Sequence, residues 1–505
     1  MLLRRATLLL CGIPAALAPL AGPGEPPAHD PRGLDPTDFV HAVLPVLQRQ
    51  GCASAYCHGA ATGQGGFKLS LFGGDPQADH AAITRALGGR RLDLLAPEAS
   101  LLLAKPLRLV DHGGGKRLTE DSEQHALLRA WIAAGAPFAP EVPRRLVDLQ
   151  VAPDGGRLVV TATFAAGGTT TTADVTALAT FSSSAQDVAT VDRAGRFAIV
   201  GPGEAHLFTR YAGATARVTV GRPFGDEVAV EGTAREGDLD ALFAARLADL
   251  GLAPAPEAPP ERIARRLWLD LVERPPTAFE LQRFLEMPEG ERIARAADAL
   301  LATPEFAVAA ARRLRAFFEV PEVEDAPPGA RAAVVALHQR VRAAAEADEP
   351  LPDLTRDLLA HGGPFLARRE DPRDRAELVA RTMFGVRLGC ARCHDHPDDR
   401  WRQRDHLAFA ACFAPPPRGA RAPSSLFDEH TGEPVVPRLL PLRGADEHGA
   451  GDLHAFVHSR AHDAFARAFA NRVFAWLLGA GLVEPLDDHR ETNPARHEAW
   501  LEALV

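Results

Sequence analysis

Two cysteine pairs in this chain are each followed at once by a histidine. The clearer one lies in Leu388-Gly389-Cys390-Ala391-Arg392-Cys393-His394-Asp395-His396-Pro397. Cys390-x-x-Cys393-His394 has the spacing by which two thiols add to the two vinyl groups of one porphyrin, while the next imidazole binds its iron. Zinc is the competing chemistry, with Cys390, Cys393, His394 and His396 as ligands, and a reducible disulfide is the third. Against zinc, adjacent Cys393 and His394 are awkward on one tetrahedral ion. The second pair, Cys52 and Cys57 with His58, is Cys-x4-Cys-His. It suits covalent haem with a longer loop, or a disulfide beside an incidental histidine. Disulfides alone give no reason for either histidine.

A haem at His58 needs a ligand on its other face. The only methionines are Met1, Met287 and Met383, so residues 35–140 offer none. The candidates there are His80, His112 and His125. His112 is preferred, because the run Asp111-His112-Gly113-Gly114-Gly115 lets backbone approach a ring face. A five-coordinate iron is the alternative. For His394 no partner can be named. His396 is too near in sequence to cross the ring, and Met383 or His406 would need the fold to bring them in. His454, His458 and His462 fall four apart and would share one helix face, where two can clasp a metal; the competing reading is surface histidines.

The elements that must hold these residues follow from apolar spacing. Asp38–Gln50 carries a helical stripe (Phe39, Val40, Val43, Leu44, Leu47) leading into Cys52. Residues 59–75 are Gly-rich and loop-like. Ser122–Ala134 is a closing amphipathic helix with Leu127, Leu128, Trp131 and Ile132 inward. A helix before the motif, loops around a ring and a helix packing back make a small all-α haem domain over 35–140. Residues 145–221 change period. Leu158, Val160, Ala162 and Phe164 alternate with polar or outward positions, and short strands follow at Ala189–Asp192, Phe197–Val200, His206–Ala212 and Ala216–Val220. That predicts a small antiparallel sandwich. From Asp238 the pattern is helical, with a stripe at Leu239, Leu242, Phe243, Leu247 and Leu250. A capping box at Thr277-x-x-Glu280 and a cap at Thr303 before Pro304 mark two further helix starts. Glu377–Leu388 is the helix expected to deliver Cys390.

Longer strings narrow this further. Gly51-Cys52 through Cys57-His58-Gly59-Ala60, Gly65-Gly66-Phe67, Asp75-Pro76 with Asp79-His80, Pro97-Glu98-Ala99-Ser100-Leu101-Leu102, His112-Gly113-Gly114-Gly115, and Trp131-Ile132 with Gly135-Ala136 occur in that order. Together they resemble the planctomycete-type cytochrome c domain. Phe181 through Val191-Asp192, with Gly195 and Gly203, resembles a bacterial immunoglobulin-like (group 2) domain of the intimin/invasin type, a spacer or adhesion module. Arg265-Arg266-Leu267-Trp268-Leu269-Asp270-Leu271 with Pro275-Pro276-Thr277, and Leu300 through Phe306, resemble a domain of unknown function that follows the haem domain in large planctomycete secreted cytochromes. Phe384 through Pro397, Asp399-Arg400-Trp401 and Ala408-Phe409-Ala410 resemble that family's second uncharacterised region, as do Asn471-Arg472-Val473-Phe474 and Gly481 through Pro485. The resemblance implies haem and export, and supplies no substrate.

The address agrees. Arg4 and Arg5 precede an apolar run from Ala6 to Leu20 that is short and broken by Pro14 and Pro19, so residues 1–21 read as a secretory signal and not a span. No later segment is apolar enough to cross a bilayer. Net charge is −10 over 505 residues, with only three lysines, which leaves no basic footprint for nucleic acid. The expected architecture is therefore multidomain: a signal (1–21), an all-α cytochrome c-like domain (35–140), an immunoglobulin-like β-sandwich (145–221), a mainly α-helical region carrying the second motif (229–440) and a helical C-terminal domain (452–505). That last pattern reaches Val505 without a stop signal, as expected of a truncated gene or fragment. The expected function is an exported c-type cytochrome, periplasmic or at the cell surface. Two covalent haems c are held by Cys52, Cys57, Cys390 and Cys393, with His58, His112 and His394 on iron, and electrons pass to an unidentified redox partner. The rivals are a haem-dependent oxidoreductase with an open iron position at His394, and a non-redox adhesion protein touching a cell surface or polysaccharide through the sandwich, with disulfides in place of haem.

Overall fold

The computed structural model describes residues 34–225, 239–360, 363–396, 399–415, 426–428, 432–442, 453–457 and 462–505. The expected signal at 1–21 lies outside them. The first helix opens as a π-helical turn, Phe39–Val43, and continues as Leu44–Arg49. Asp38 caps it by accepting from the His41 N–H. Phe39, Ala42, Val43, Val46 and Leu47 are buried, so the predicted stripe faces a core. Further helices follow at Pro76–Thr84, Leu101–Leu107 and Glu123–Ala133. Ser122 caps the last, and Leu127, Leu128, Trp131 and Ile132 are its buried face, as the spacing predicts.

Eight strands follow among the described residues: β1 (Arg145–Asp154), β2 (Arg157–Ala166), β3 (Thr169–Asp174), β4 (Thr180–Ser183), β5 (Ala189–Val191), β6 (Phe197–Ile199), β7 (Gly203–Tyr211) and β8 (Ala214–Arg222). They form antiparallel sheets ordered β1-β2-β3 and β4-β7-β8, with β5 and β6 as a separate ribbon. Leu158 of β2 meets Ala205 and Leu207 of β7 in one buried cluster, so the sheets pack face to face. The turn joining β7 to β8 has both central residues at positive φ, Ala212 (48°) and Gly213 (83°). That matches the twist of the hairpin it closes.

The helical unit and the sheets share a core. Leu34, Phe39, Val43 and Trp131 lie in the same apolar cluster as Val160, Ala162, Phe164 and Tyr211. Asp38 pins the seam. It accepts from Arg144 Nε and from His41 Nδ1, both at 2.8 Å, and the Arg144 guanidinium lies 4.3 Å over the Phe164 ring. Burial pushes the Asp38 carboxyl up, but its bonds to His41 and Arg144 outweigh this and hold it below the usual range. Asp38→Ala leaves the Arg144 guanidinium buried without this carboxylate. We expect it to cost about 3 kcal/mol in a urea unfolding titration, and more than any exposed Asp→Ala change.

Downstream the chain is helical. Pro260–Val272, Ala278–Glu286 and Arg292–Leu301 enclose Trp268, Phe284 and Leu300. The capping box of Thr277 and Glu280 is formed, and Thr303 caps Pro304–Phe317. A larger core joins Arg331–Glu346, Leu351–Leu359, Pro372–Phe384 and Gln403–Ala411, and Phe465 of His462–Leu478 packs into it. The stripe on Leu239–Asp249 does not become core. None of its residues is buried, and Phe243, 44% exposed, meets the Trp500 ring at 5.2 Å. The helix expected at Glu377–Leu388 instead spans Pro372–Phe384. Asp371 caps it with Pro372 in its first turn, and Gly385 at φ 63° stops it. No helix among the described residues is long and apolar enough to cross a membrane.

Candidate functional site

Cys52 and Cys57 lie where Leu44–Arg49 gives way to a run of tight turns. The His58 N–H donates to the Cys52 carbonyl (3.0 Å), folding the histidine back over the first cysteine. The His58 ring lies 4.5 Å from Phe67, and its Nδ1 donates to the Phe67 carbonyl (3.0 Å). Arg91 locks this pair from outside. Its guanidinium is 4.4 Å over the Phe67 ring and donates to the Gly66 and Ala82 carbonyls. Nothing in the sequence pattern singles out Arg91, because its partners come from other loops.

His112 is brought to the same place. Its ring lies 6.4 Å from that of His58, and the two planes differ by 11°. Its Nδ1 donates to the Gly115 carbonyl (2.8 Å). Both imidazoles thus donate Nδ1 to a backbone carbonyl, the tautomer in which Nε2 is the nitrogen offered to a metal. A Cβ at Gly114 would lie 3.0 Å from His112 Cε1 and 3.2 Å from its Nε2, so glycine keeps the free nitrogen clear. Burial, reinforced by the neighbouring His112, holds His58 below its usual range and so neutral.

Cys52, Cys57, His58 and His112 all line one cavity of about 530 Å³. Val46, Leu47, Leu101, Leu102 and Leu128 give it an apolar wall, and Arg90, Arg91, Lys105 and Arg117 supply positive charge. Its size suits a cofactor. Two imidazoles sharing one metal through bonds of about 2.0–2.1 Å would have ring centres roughly 6 Å apart. The observed ring separation fits that spacing. His80 and His125 are otherwise engaged: His80 Nε2 donates to the Ala136 carbonyl among Phe39, Trp131 and Phe138, and His125 Nδ1 accepts from the Asp121 N–H. Cys52 is partly buried, and desolvation pushes its thiol up to about 11.

The second motif sits on a 3-10 turn, Gly389–Arg392, just past the Gly385 stop. Arg392 fastens this turn to the preceding helix through Asp374 (2.6 Å), Asp371 (2.8 Å) and Glu377 (3.4 Å). Cys390 and Cys393 are exposed, and all five described cysteines are free thiols. His394 Nδ1 donates to the Asp395 carbonyl (2.8 Å), again leaving Nε2 open. The two residues weighed as partners are engaged elsewhere. Met383 is fully buried in the helical core, and His406 is buried with its Nε2 donating to Glu377 (3.1 Å). No three His, Cys, Asp or Glu side chains converge to hold a metal among the described residues, which bears on the zinc alternative. His462 opens its helix, while His458 lies outside the described residues.

The family model PSCyt2, described as a protein of unknown function (DUF1549), matches residues 238–364 and 364–417. This stretch holds the second motif and not the first. No curated protein and no solved structure matches the chain.

Proposed function

We propose that this protein is an exported c-type cytochrome that binds two haems covalently and acts in electron transfer. The observation that carries the reading is the His58–His112 pair: two near-parallel imidazoles 6.4 Å apart, each donating Nδ1 to a backbone carbonyl, lining one apolar-walled cavity with a thiol pair. The group would supply one-electron exchange between ferric and ferrous iron. The chain's own work is to attach, orient and seal. Cys52 and Cys57 provide the thiols. The Phe67 and Gly115 carbonyls fix the two rings, and the leucine wall excludes water. The four lining cations offer positive charge to anionic groups at the cavity edge. Two imidazoles without a methionine favour a lower potential than His/Met ligation.

The same reading puts a second haem on Cys390, Cys393 and His394. A haem-dependent oxidoreductase with an open iron position there is a second reading, favoured by the commitment of Met383 to the core and of His406 to Glu377.

The test is covalent haem per chain, from a denatured haem spectrum and intact mass, after expression with the N-terminal segment and a cytochrome c maturation system. Two haems are expected, with Cys57→Ala and Cys393→Ala each disrupting attachment at its own site. One haem lost only with Cys393→Ala would demote the first motif, and none would sink the cytochrome reading. Carbon monoxide binding to the reduced protein at the Cys390/Cys393 site would favour the oxidoreductase.

A further inference from the structure

The two Cys/His motifs are far apart in sequence but touch in the fold, and one side chain makes the contact. The turn Leu71–Gly73 lies outside the cavity lining and is fastened to the first motif by backbone bonds. The Phe72 N–H donates to the carbonyl of Ala53, inside the first motif (2.9 Å). The Phe72 carbonyl accepts from Gln48 Nε2 (2.6 Å), on the helix that leads into Cys52. These bonds hold Phe72 at φ 53° and ψ 23°, a left-handed conformation that side chains with a Cβ rarely adopt. Such a conformation persists only where its surroundings over-determine it. Here it turns a large aromatic ring, 44% exposed, out of its own unit.

That ring meets His394. The centroids are 6.1 Å apart at 65°, an edge-on contact. The neighbouring backbone closes against the same place. A Cβ at Gly74 would lie 3.4 Å from the Asp395 nitrogen and 3.5 Å from its Cβ. Asp395 supplies the carbonyl that takes the His394 Nδ1 proton, and its Oδ1 accepts from the Gln403 N–H (2.9 Å). Phe72 and Gly74 therefore bear on both the ring of His394 and the residue that orients it.

We propose that Phe72 is a positioning residue for His394, so that a turn fastened to the first motif sets the geometry of the second. This rests on the cytochrome reading above. A side chain fixed by hydrogen bonds to one motif restrains the imidazole of the other, and a group that orients a metal-binding histidine tunes the metal it holds.

The test uses the full chain and Phe72→Ala. In the loaded protein, with two haems counted by mass, the variant is expected to shift the midpoint potential and visible spectrum of the Cys390/Cys393 centre. The spectrum of the Cys52/Cys57 centre stays as it was, and Phe72→Tyr restores the parent values. Two haems with both centres unmoved in Phe72→Ala would overturn the proposal and leave the cytochrome reading standing. A second arm needs no haem. Hydrogen exchange of the peptide spanning Cys393–His396 in the unloaded chain is expected to speed up several-fold in Phe72→Ala, and unchanged exchange would overturn the proposal by itself. Fewer than two haems in the parent protein would overturn the two-haem reading and leave the Phe72 proposal to be decided by the exchange arm.

Discussion

His112→Ala is expected to turn the proposed haem centre at Cys52 and Cys57 from one that ignores carbon monoxide into one that binds it, with covalent attachment unchanged. On the proposed reading His58 and His112 would both hold the iron, so the reduced parent would have no vacant position. Alanine would remove the second imidazole and leave a space of its size beside the His58 ring. On the same reading attachment would depend on Cys52 and Cys57, and intact mass should show it complete in the variant. The potential rises as well, because a nitrogen donor that stabilises ferric iron is lost. Gly114→Ala gives an intermediate result. Its Cβ would stand 3.0 Å from His112 Cε1 and displace the ring without deleting it. Losing the orientation of a ligand typically costs 10–100-fold in affinity or activity, on the order of 1–3 kcal/mol. Carbon monoxide spectra of the parent, His112→Ala and Gly114→Ala decide the matter. If the parent centre already binds the gas, or His112→Ala behaves like the parent, the paired-imidazole reading fails.

The residues that make this argument differ in how visible they were before folding. The thiol–histidine strings are local, and neighbouring residues carry their whole signal. His112 was legible as one of three candidates, because the absence of methionine and the glycines around it are sequence facts. What picked it out is a ring separation, which no spacing encodes. The closing helix could be read to the residue, since Leu127, Leu128, Trp131 and Ile132 repeat at the helical period and Ser122 is a local cap. β1 and β3 were not seen. β3 is Thr-rich and mostly exposed, and β1 has no buried residue, so neither shows the alternation that betrayed β2. The helix delivering Cys390 was displaced because apolar spacing runs on past Phe384, whereas the stop depends on one glycine conformation. The stripe on Leu239–Asp249 misled in the other direction: periodicity says which face is apolar, not whether another element covers it. The Arg91 clamp and the Phe72 contact join loops distant in the chain, and no local pattern announces them.

Gly385→Ala should be the most damaging single substitution around the second motif. Gly385 ends Pro372–Phe384 at φ 63°, where any Cβ is strained. A Cβ there would also stand 2.5 Å from His489 Cδ2, and His489 in turn donates its N–H to the Gly385 carbonyl (2.8 Å). Left-handed strain of roughly 1 kcal/mol and an overpacking cost of about 1–3 kcal/mol act together. We expect a loss of about 3 kcal/mol in denaturant unfolding, with faster exchange through Gly389–Arg392. Gly385→Ala/His489→Ala should lose less than the sum of its single changes, because deleting the ring removes the clash.

His489 also makes this corner sensitive to acid. Burial, with the charges of Arg472 and Arg467, holds its pKa down to about 4. No hydrogen-bond partner reaches its Nε2 among the described residues. The folded chain therefore keeps His489 neutral where the unfolded chain, with an ordinary value near 6.5, takes up a proton. The unfolded state binds more protons between these values, so stability rises with pH across that window. The contribution is fully present above about pH 6.5 and is lost as pH falls towards 4, a change of about 3 kcal/mol. Unfolding free energies of the parent protein across this range should show that slope, and His489→Gln should flatten it. An equal slope in both proteins would mean that other groups carry the acid sensitivity and that His489 is solvated in the folded chain.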